Sequence, residues 1–344
     1  MSETYLILFS GIALVMVYDF TNGFHDASDM VATAIAASSV SPKVAISIVT
    51  LFTFAGPFLG GMAVADTIGE FVNVHGEAQH AAQSVVLAAL MVAITFNLLT
   101  WKFGLPSSSS TSLTSGLIGA GLFAFGNASI HWGMTELWKG EIAGFMKIVT
   151  GLIFSPLAGF VVGFFLIRLM RKLMSRFTVK TKKALIVTQY LSISWLAFSH
   201  GTNDAQKGMG MLAMLLYASG IYSSFHVPVW VILLCASSIT AGTLFGGWSI
   251  IRTVGYGIYR VKLIHSIADQ IGSAFIILSS SLIGAPVSTT QVVTTTLMGV
   301  GAGERPRHVR WNMAKSIATG WLLNIPFCIV TGAAYCFLLE KLFL

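Results

Sequence analysis

Two aspartates stand where an apolar chain should have none. Asp26 lies in FTNGFHDASD, residues 20–29, and Asp204 in FSHGTNDAQK, residues 198–207, each between long apolar runs. A charge at the centre of a bilayer costs about 3 kcal/mol or more, so an acid kept there is expected to hold a cation. The cation would be Na+, a metal bound through carboxylate and carbonyl oxygens, or a proton. The plainer alternative is an acid that caps a helix near the membrane surface. Asn22 and Asn203 offer amide oxygens beside these acids, either as further cation ligands or as turn and cap residues. Gly23 and Gly201 would allow a tight backbone that aims carbonyls into a cavity. His25 and His200 could carry protons or simply be hydrogen-bonded. Asp29 and Lys207 occupy equivalent places, so they could pair with each other, or Lys207 could face an anion.

A second constellation is rich in hydroxyls. GLPSSSSTSLTSGLIGAG at 104–121 brings Ser107, Ser108, Ser109, Ser110 and Thr111, and GAPVSTTQVVTTTLMGVG at 284–301 brings Ser288, Thr289 and Thr290. Pro106 and Pro286 break the chain just before them. A half-helix starting there would point N–H groups, the positive end of its dipole and hydroxyl donors at one place, which suits an anion. The alternative is ordinary capping by Ser and Thr, with helix packing. Acids alone would repel an anion. Beside two such helix starts they would hold cations next to it, and the two ions would lower each other's cost, which is the electrostatics of coupled symport.

The elements that must carry these groups are membrane helices. Of 344 residues, 55% are hydrophobic and 10% charged, far from the roughly 25% charged of a soluble domain. The net charge of +7 reflects basic loops of a membrane protein rather than nucleic-acid binding. MSETYLILFS has no basic n-region and does not read as a secretory signal. Cys235, Cys328 and Cys336 lie in apolar runs and read as small hydrophobes. Neither a nucleotide-binding loop nor a nucleophile–base pair or metal-ligand motif is present, so an enzyme is excluded and no cofactor is expected. Energy for transport would come from an ion gradient, through co-transported Na+ or H+.

The chain is doubled. The aspartate motifs are offset by 178 residues (26 to 204) and the hydroxyl motifs by 180 (104 to 284), so one duplication accounts for both. Equivalent loops carry opposite charge. Loop 66–80 has three acids and no Lys or Arg, whereas 249–264 has Arg252, Arg260 and Lys262; 127–142 sums to −1 and 303–315 to +3. Opposite charge predicts opposite sides of the membrane, hence inverted repeats with the site at their interface. Segment 168–183 holds seven Lys and Arg and no acid, and is placed in the cytoplasm; both termini are then outside. Lys43, Lys102 and Arg168 read as interfacial anchors. Clear spans are expected at 44–65, 83–101, 143–167, 227–248 and 316–339, and broken or re-entrant segments at 5–40, 104–126, 184–221 and 265–303. The expected fold is all-α and polytopic, with roughly ten to twelve membrane segments. Its divisions are a first inverted repeat over 1–126, a connecting helix and basic loop over 127–183, a second repeat over 184–303 and a C-terminal transmembrane helix over 304–344.

These motifs resemble those of the inorganic phosphate transporter (PiT) family. GFHDASD at 23–29 and GTNDAQK at 201–207 match its aspartate motif, and GLPSSSST at 104–111 and GAPVSTTQ at 284–291 its hydroxyl motif. The resemblance covers about 5–340. It implies an inverted-repeat membrane protein, a homodimer, moving inorganic phosphate with Na+ or H+ across the bacterial cell membrane. It assigns Asp26 and Asp204 to the cation, and Ser108, Ser109, Ser110, Ser288, Thr289 and Thr290 to phosphate. Two departures stand out: Asp29 replaces the usual Asn, and SSSS at 107–110 replaces VSTT, which is kept at 287–290. Sulfate permeases of this fold and passive anion channels are the alternatives to phosphate symport.

Overall fold

In the computed structural model the described residues are 2–73, 78–174, 182–245 and 248–343. Glu77 and residues 175–181 of the basic segment fall outside them. Every extended element among them is a helix. The first half runs α1 (Ser2–Ala36), α2 (Pro42–Leu59), α3 (Ala63–Gly69), α4 (Gln79–Lys102), α5 (Ser109–Phe125), a 3-10 turn (Asn127–Ser129), the five-residue α6 (Met134–Trp138) and α7 (Gly144–Met174). The second runs α8 (Lys182–Ala218), α9 (Val229–Phe245), α10 (Trp248–Gly257), α11 (Leu263–Leu282), α12 (Thr289–Glu304), a 3-10 turn (Pro306–His308) and α13 (Trp311–Phe343). Apart from α6, the order of long, short and broken elements repeats, so α1 corresponds to α8 and α7 to α13.

Among the described residues six helices are long and apolar enough to cross a bilayer: α1, α2, α4, α7, α11 and α13. Along their middle stretches α7 and α13 expose large apolar side chains, among them Phe154, Phe165, Leu322 and Val330, as lipid-facing surfaces require. The protein is integral to the membrane.

The halves are interleaved. α1 packs on α9 and α2 on α8; likewise α5 packs on α13 and α12 on α7. Glycines allow these approaches. A Cβ on Gly23 would lie 2.0 Å from the Ile239 carbonyl oxygen of α9, and one on Gly201 2.2 Å from that of Thr53 in α2. Gly119 and Gly299 do the same for the outer pairs, at 2.0 Å from the carbonyls of Ile329 and Phe160.

Where the sequence predicts breaks in 5–40 and 184–221, the structure has unbroken helices of 35 and 37 residues, α1 and α8. Asn22, Asp26 and Asp29 on α1 and Asn203 and Asp204 on α8 each have a partner on a neighbouring element, so their polarity is met without the backbone unwinding. Gly23 and Gly201 accordingly serve close packing rather than a carbonyl-exposing turn. The breaks at 104–126 and within 265–303 do form. α4 ends before Gly104 and α11 before Gly284, with φ of 64° and 73°, a region glycine enters without strain. Pro106 and Pro286 then bias the preceding residue to extended backbone. Each helix restarts at a serine cap: Ser108 accepts from the Thr111 N–H at 3.1 Å, and Ser288 from that of Gln291 at 3.4 Å.

Candidate functional site

The two aspartate motifs lie mid-helix on α1 and α8 and meet the starts of α5 and α12. All four elements bury their polar residues: Asn22, His25, Asp26, Asp29, His200, Asn203, Asp204, Lys207, Ser108 to Thr111 and Ser288 to Thr290 are each at most 5% exposed.

Asp26 accepts from Thr290 Oγ1 at 3.0 Å and lies 3.3 Å from His25 Nδ1. The far nitrogen of His25 meets Ser107 Oγ at 3.2 Å, which in turn meets Thr100 Oγ1 at 2.8 Å. Asp204 accepts from Thr289 Oγ1 at 2.7 Å and faces His200 Nδ1 at 2.6 Å; its other oxygen pairs with the Lys207 ammonium. The sequence left the partner of Lys207 open. It is Asp204, one turn back on the same helix, and not Asp29. Lys207 also reaches Ser110 Oγ at 2.5 Å and the Val287 carbonyl at 2.8 Å, so one ammonium touches the starts of both broken helices. Asp29 accepts from Thr290 Oγ1 at 2.6 Å.

The hydroxyl residues divide their work. Ser108 and Ser288 are caps, and Thr111 bonds back to Ser108 at 2.7 Å, so these three serve the helix starts. Ser109 donates to Asn22 Oδ1 at 2.6 Å, and its counterpart Thr289 lies 3.1 Å from His200 Nδ1, the residue equivalent to Asn22. Ser110 donates to the Val287 carbonyl at 2.8 Å. Asn203 is spent on the second break: its amide donates to Ser281 Oγ and the Ala285 carbonyl, and its oxygen accepts from the Val287 N–H at 3.2 Å.

Two carboxylate clusters have donor atoms within 4.8 Å of one another, the spacing a cation needs: His25, Asp26 and Asp29, and Asp26, His200 and Asp204. Asp26 belongs to both and so bridges the halves. Asn22 Nδ2, Asp29 Oδ1 and His200 Nε2 find no hydrogen-bond partner among the described residues.

Three polar residues escaped the sequence reading. Asp19 and Asp269 are fully buried acids on α1 and α11. Asn324, on α13, holds the α5 start by donating to the Ser108 carbonyl at 3.0 Å and accepting from Ser112 at 3.1 Å. Asp19 and Asp269 were legible as further acids in apolar runs, but neither has a counterpart in the other half, which is the signal that exposed Asp26 and Asp204.

An all-helical membrane core, with broken helices converging on buried acids from two related halves, defines a membrane transport protein. The phosphate transporter family model matches residues 22–332, and the chain belongs to that family. Among its relatives is a probable low-affinity inorganic phosphate transporter of Rhizobium meliloti (strain 1021), 37% identical over 94% of this chain and 93% of the relative. A protein of the same description from Bacillus subtilis (strain 168) is 35% identical over 96% and 97%. A solved structure described as the sodium-dependent phosphate transporter superposes with a TM-score of 0.86, covering 98% of this chain and 99% of the other at 23% identity, and so shares the fold.

Proposed function

We propose that the chain imports inorganic phosphate together with a cation, Na+ or H+, by alternating access of two inverted repeats that extend through α7 and α13. The observation that carries this is the junction at Asp26: acids from both halves share one cluster beside the meeting starts of α5 and α12. Among the described residues five aspartates are buried in the core, Asp19, Asp26, Asp29, Asp204 and Asp269, against one lysine, Lys207. That excess of negative charge favours occupation by cations or protons, and a bound cation in turn offsets the repulsion an anion would meet. Ser109, Ser110, Thr289, Thr290 and Lys207 are the donors nearest the junction, and we assign them to the anion; Asp26, Asp29, Asp204 and the two histidines are assigned to the cation. A site holding both donors and carboxylate acceptors favours phosphate, which can donate a hydrogen bond, over sulfate.

We take the basic end to be cytoplasmic. α7 ends there, its Arg171 3.8 Å from Glu304 at the end of α12. Ala36, the last residue of α1, lines a well with Arg260 at the same end, so α1 starts at the opposite end and α13 runs back toward it. Both termini are then outside.

Labelled phosphate uptake into proteoliposomes tests the reading, with Na+ and pH gradients imposed separately and sulfate as competitor. Accumulation driven by one gradient and indifferent to sulfate is expected; accumulation of sulfate in its place would overturn the assignment of substrate.

A further inference from the structure

A well of about 680 Å³ opens at the end where α7 finishes, walled by Tyr259, Arg260, Lys262, Glu304, Arg305 and Arg310. The four cations come from two separate stretches, one between α10 and α11 and the other between α12 and α13. All four are exposed, and none lies within salt-bridge distance of a carboxylate among the described residues. The one acid on the wall is already engaged. Glu304 accepts from Tyr259 Oη at 2.9 Å, sits 2.5 Å from His265 Nε2 and is approached by Arg171. Burial and the neighbouring Glu304 push the Tyr259 phenol up to about 12, so it remains a donor to that acid at neutral pH.

The positive-inside bias accounts for basic loops, but not for a concave wall of unpaired cations. The other end of the molecule supplies a control. The corresponding stretches, 69–73 and 128–135, line a well of about 870 Å³ whose wall includes Glu70 and His131 and no Lys or Arg. Of these two wells only one is basic among the described residues.

The interior shows the same asymmetry. Between the central site and the basic well, α11 carries His265, Ser266, Asp269, Gln270 and Ser273, all buried. At the equivalent positions of α4, 180 residues earlier, stand Val85, Val86, Ala89, Leu90 and Ala93, sealed in an apolar cluster. The stretch of α11 leading to the basic well is thus polar where the equivalent stretch of α4 is apolar.

We infer that this well is a second anion site, separate from the central one, which takes a phosphate dianion or a phosphomonoester group. Guanidinium groups suit such a ligand through paired N–H donors, and Arg305, Arg310 and Arg260 would contact it from two sides. A bound anion would tie the stretch leading into α11 to the stretch leaving α12.

Equilibrium binding of labelled inorganic phosphate to the purified full-length chain in phosphatidylcholine nanodiscs at low salt tests this. The wild type is expected to bind two phosphates per chain, and R260Q/R305Q one, with at least tenfold weaker binding at the lost site. All the altered side chains are exposed, and a monodisperse elution profile checks that the variant is folded. Two sites surviving in R260Q/R305Q would overturn the inference. A single wild-type site that survives in R260Q/R305Q would also overturn it, while leaving the central reading intact. A single site that vanishes in R260Q/R305Q would uphold the well and instead remove the central anion site. Repeating the measurement in nanodiscs containing phosphatidic acid, a lipid phosphomonoester, distinguishes the source. Loss of one phosphate there, restored in phosphatidylcholine, identifies a lipid phosphate as an occupant of the same site; no loss identifies free phosphate.

Discussion

Asp29 and Lys207 hold the same place in the two halves, and each crosses to a hydroxyl of the other: Asp29 to Thr290 at 2.6 Å and Lys207 to Ser110 at 2.5 Å. The two crossings have opposite charge, so the repeated scaffold carries an acceptor on one side and a donor on the other. Ser110→Ala and Thr290→Val are expected to raise the KM for phosphate by about tenfold, the worth of a hydrogen bond to a charged group. Ser108→Ala is expected to cost about 1 kcal/mol of stability as a lost cap and to leave KM unchanged. Initial uptake rates across phosphate concentrations, with thermal melting in detergent, separate the two roles.

Asp26→Asn and Asp204→Asn are both expected to abolish gradient-driven uptake while the protein still inserts. Their stabilities should differ. Removing the Asp204 charge leaves the buried Lys207 ammonium without its pair, a loss of about 3–5 kcal/mol. Asp26 has only hydrogen bonds to lose. A lower melting temperature for Asp204→Asn than for Asp26→Asn checks this, and normal uptake by both variants would sink the cation assignment.

Gly23→Ala and Gly201→Ala should be equally damaging, since each forces a methyl against a carbonyl of the opposite half. Overpacking of this kind costs about 1–3 kcal/mol. Parallel drops in melting temperature are expected. A harmless substitution at either position would mean that the helices have room the structure denies them.

Ala89→Asp and Asp269→Ala exchange the characters of equivalent positions. Ala89 is fully buried in the same apolar cluster as Val85, Leu113 and Leu117, so an aspartate there would be an unpaired buried charge costing about 4 kcal/mol or more. Loss of folded protein on size exclusion is expected for Ala89→Asp. Asp269→Ala is expected to leave a monodisperse protein and to slow uptake.

Much of this was legible before the fold was seen. The duplication exposed Asp26, Asp204 and the two hydroxyl runs, because accidents do not recur at matching offsets. Gly-x-Pro followed by serine correctly marked the breaks before α5 and α12, where local backbone preferences decide. Reading breaks into α1 and α8 failed because polarity alone does not break a helix. Asn22, His25, Asp26 and Asp29 are met by Ser109, Ser107 and Thr290, partners that only tertiary structure supplies. The roles of Gly23 and Gly201 depended on the same contacts. Asn324 was invisible because its partner, the Ser108 carbonyl, lies 216 residues away and is a backbone atom.

The interleaving of the halves sets an order of assembly. A chain made from its N-terminal side onward completes α1 and α2 long before α9 and α8 exist to cover them, and α5 must wait for α13. Neither half can reach its final packing as a free-standing unit. Until α9 and α13 emerge, the grooves cut by Gly23 and Gly119 face lipid or the insertion machinery, so α13 acts as the clasp over a groove opened in the first half.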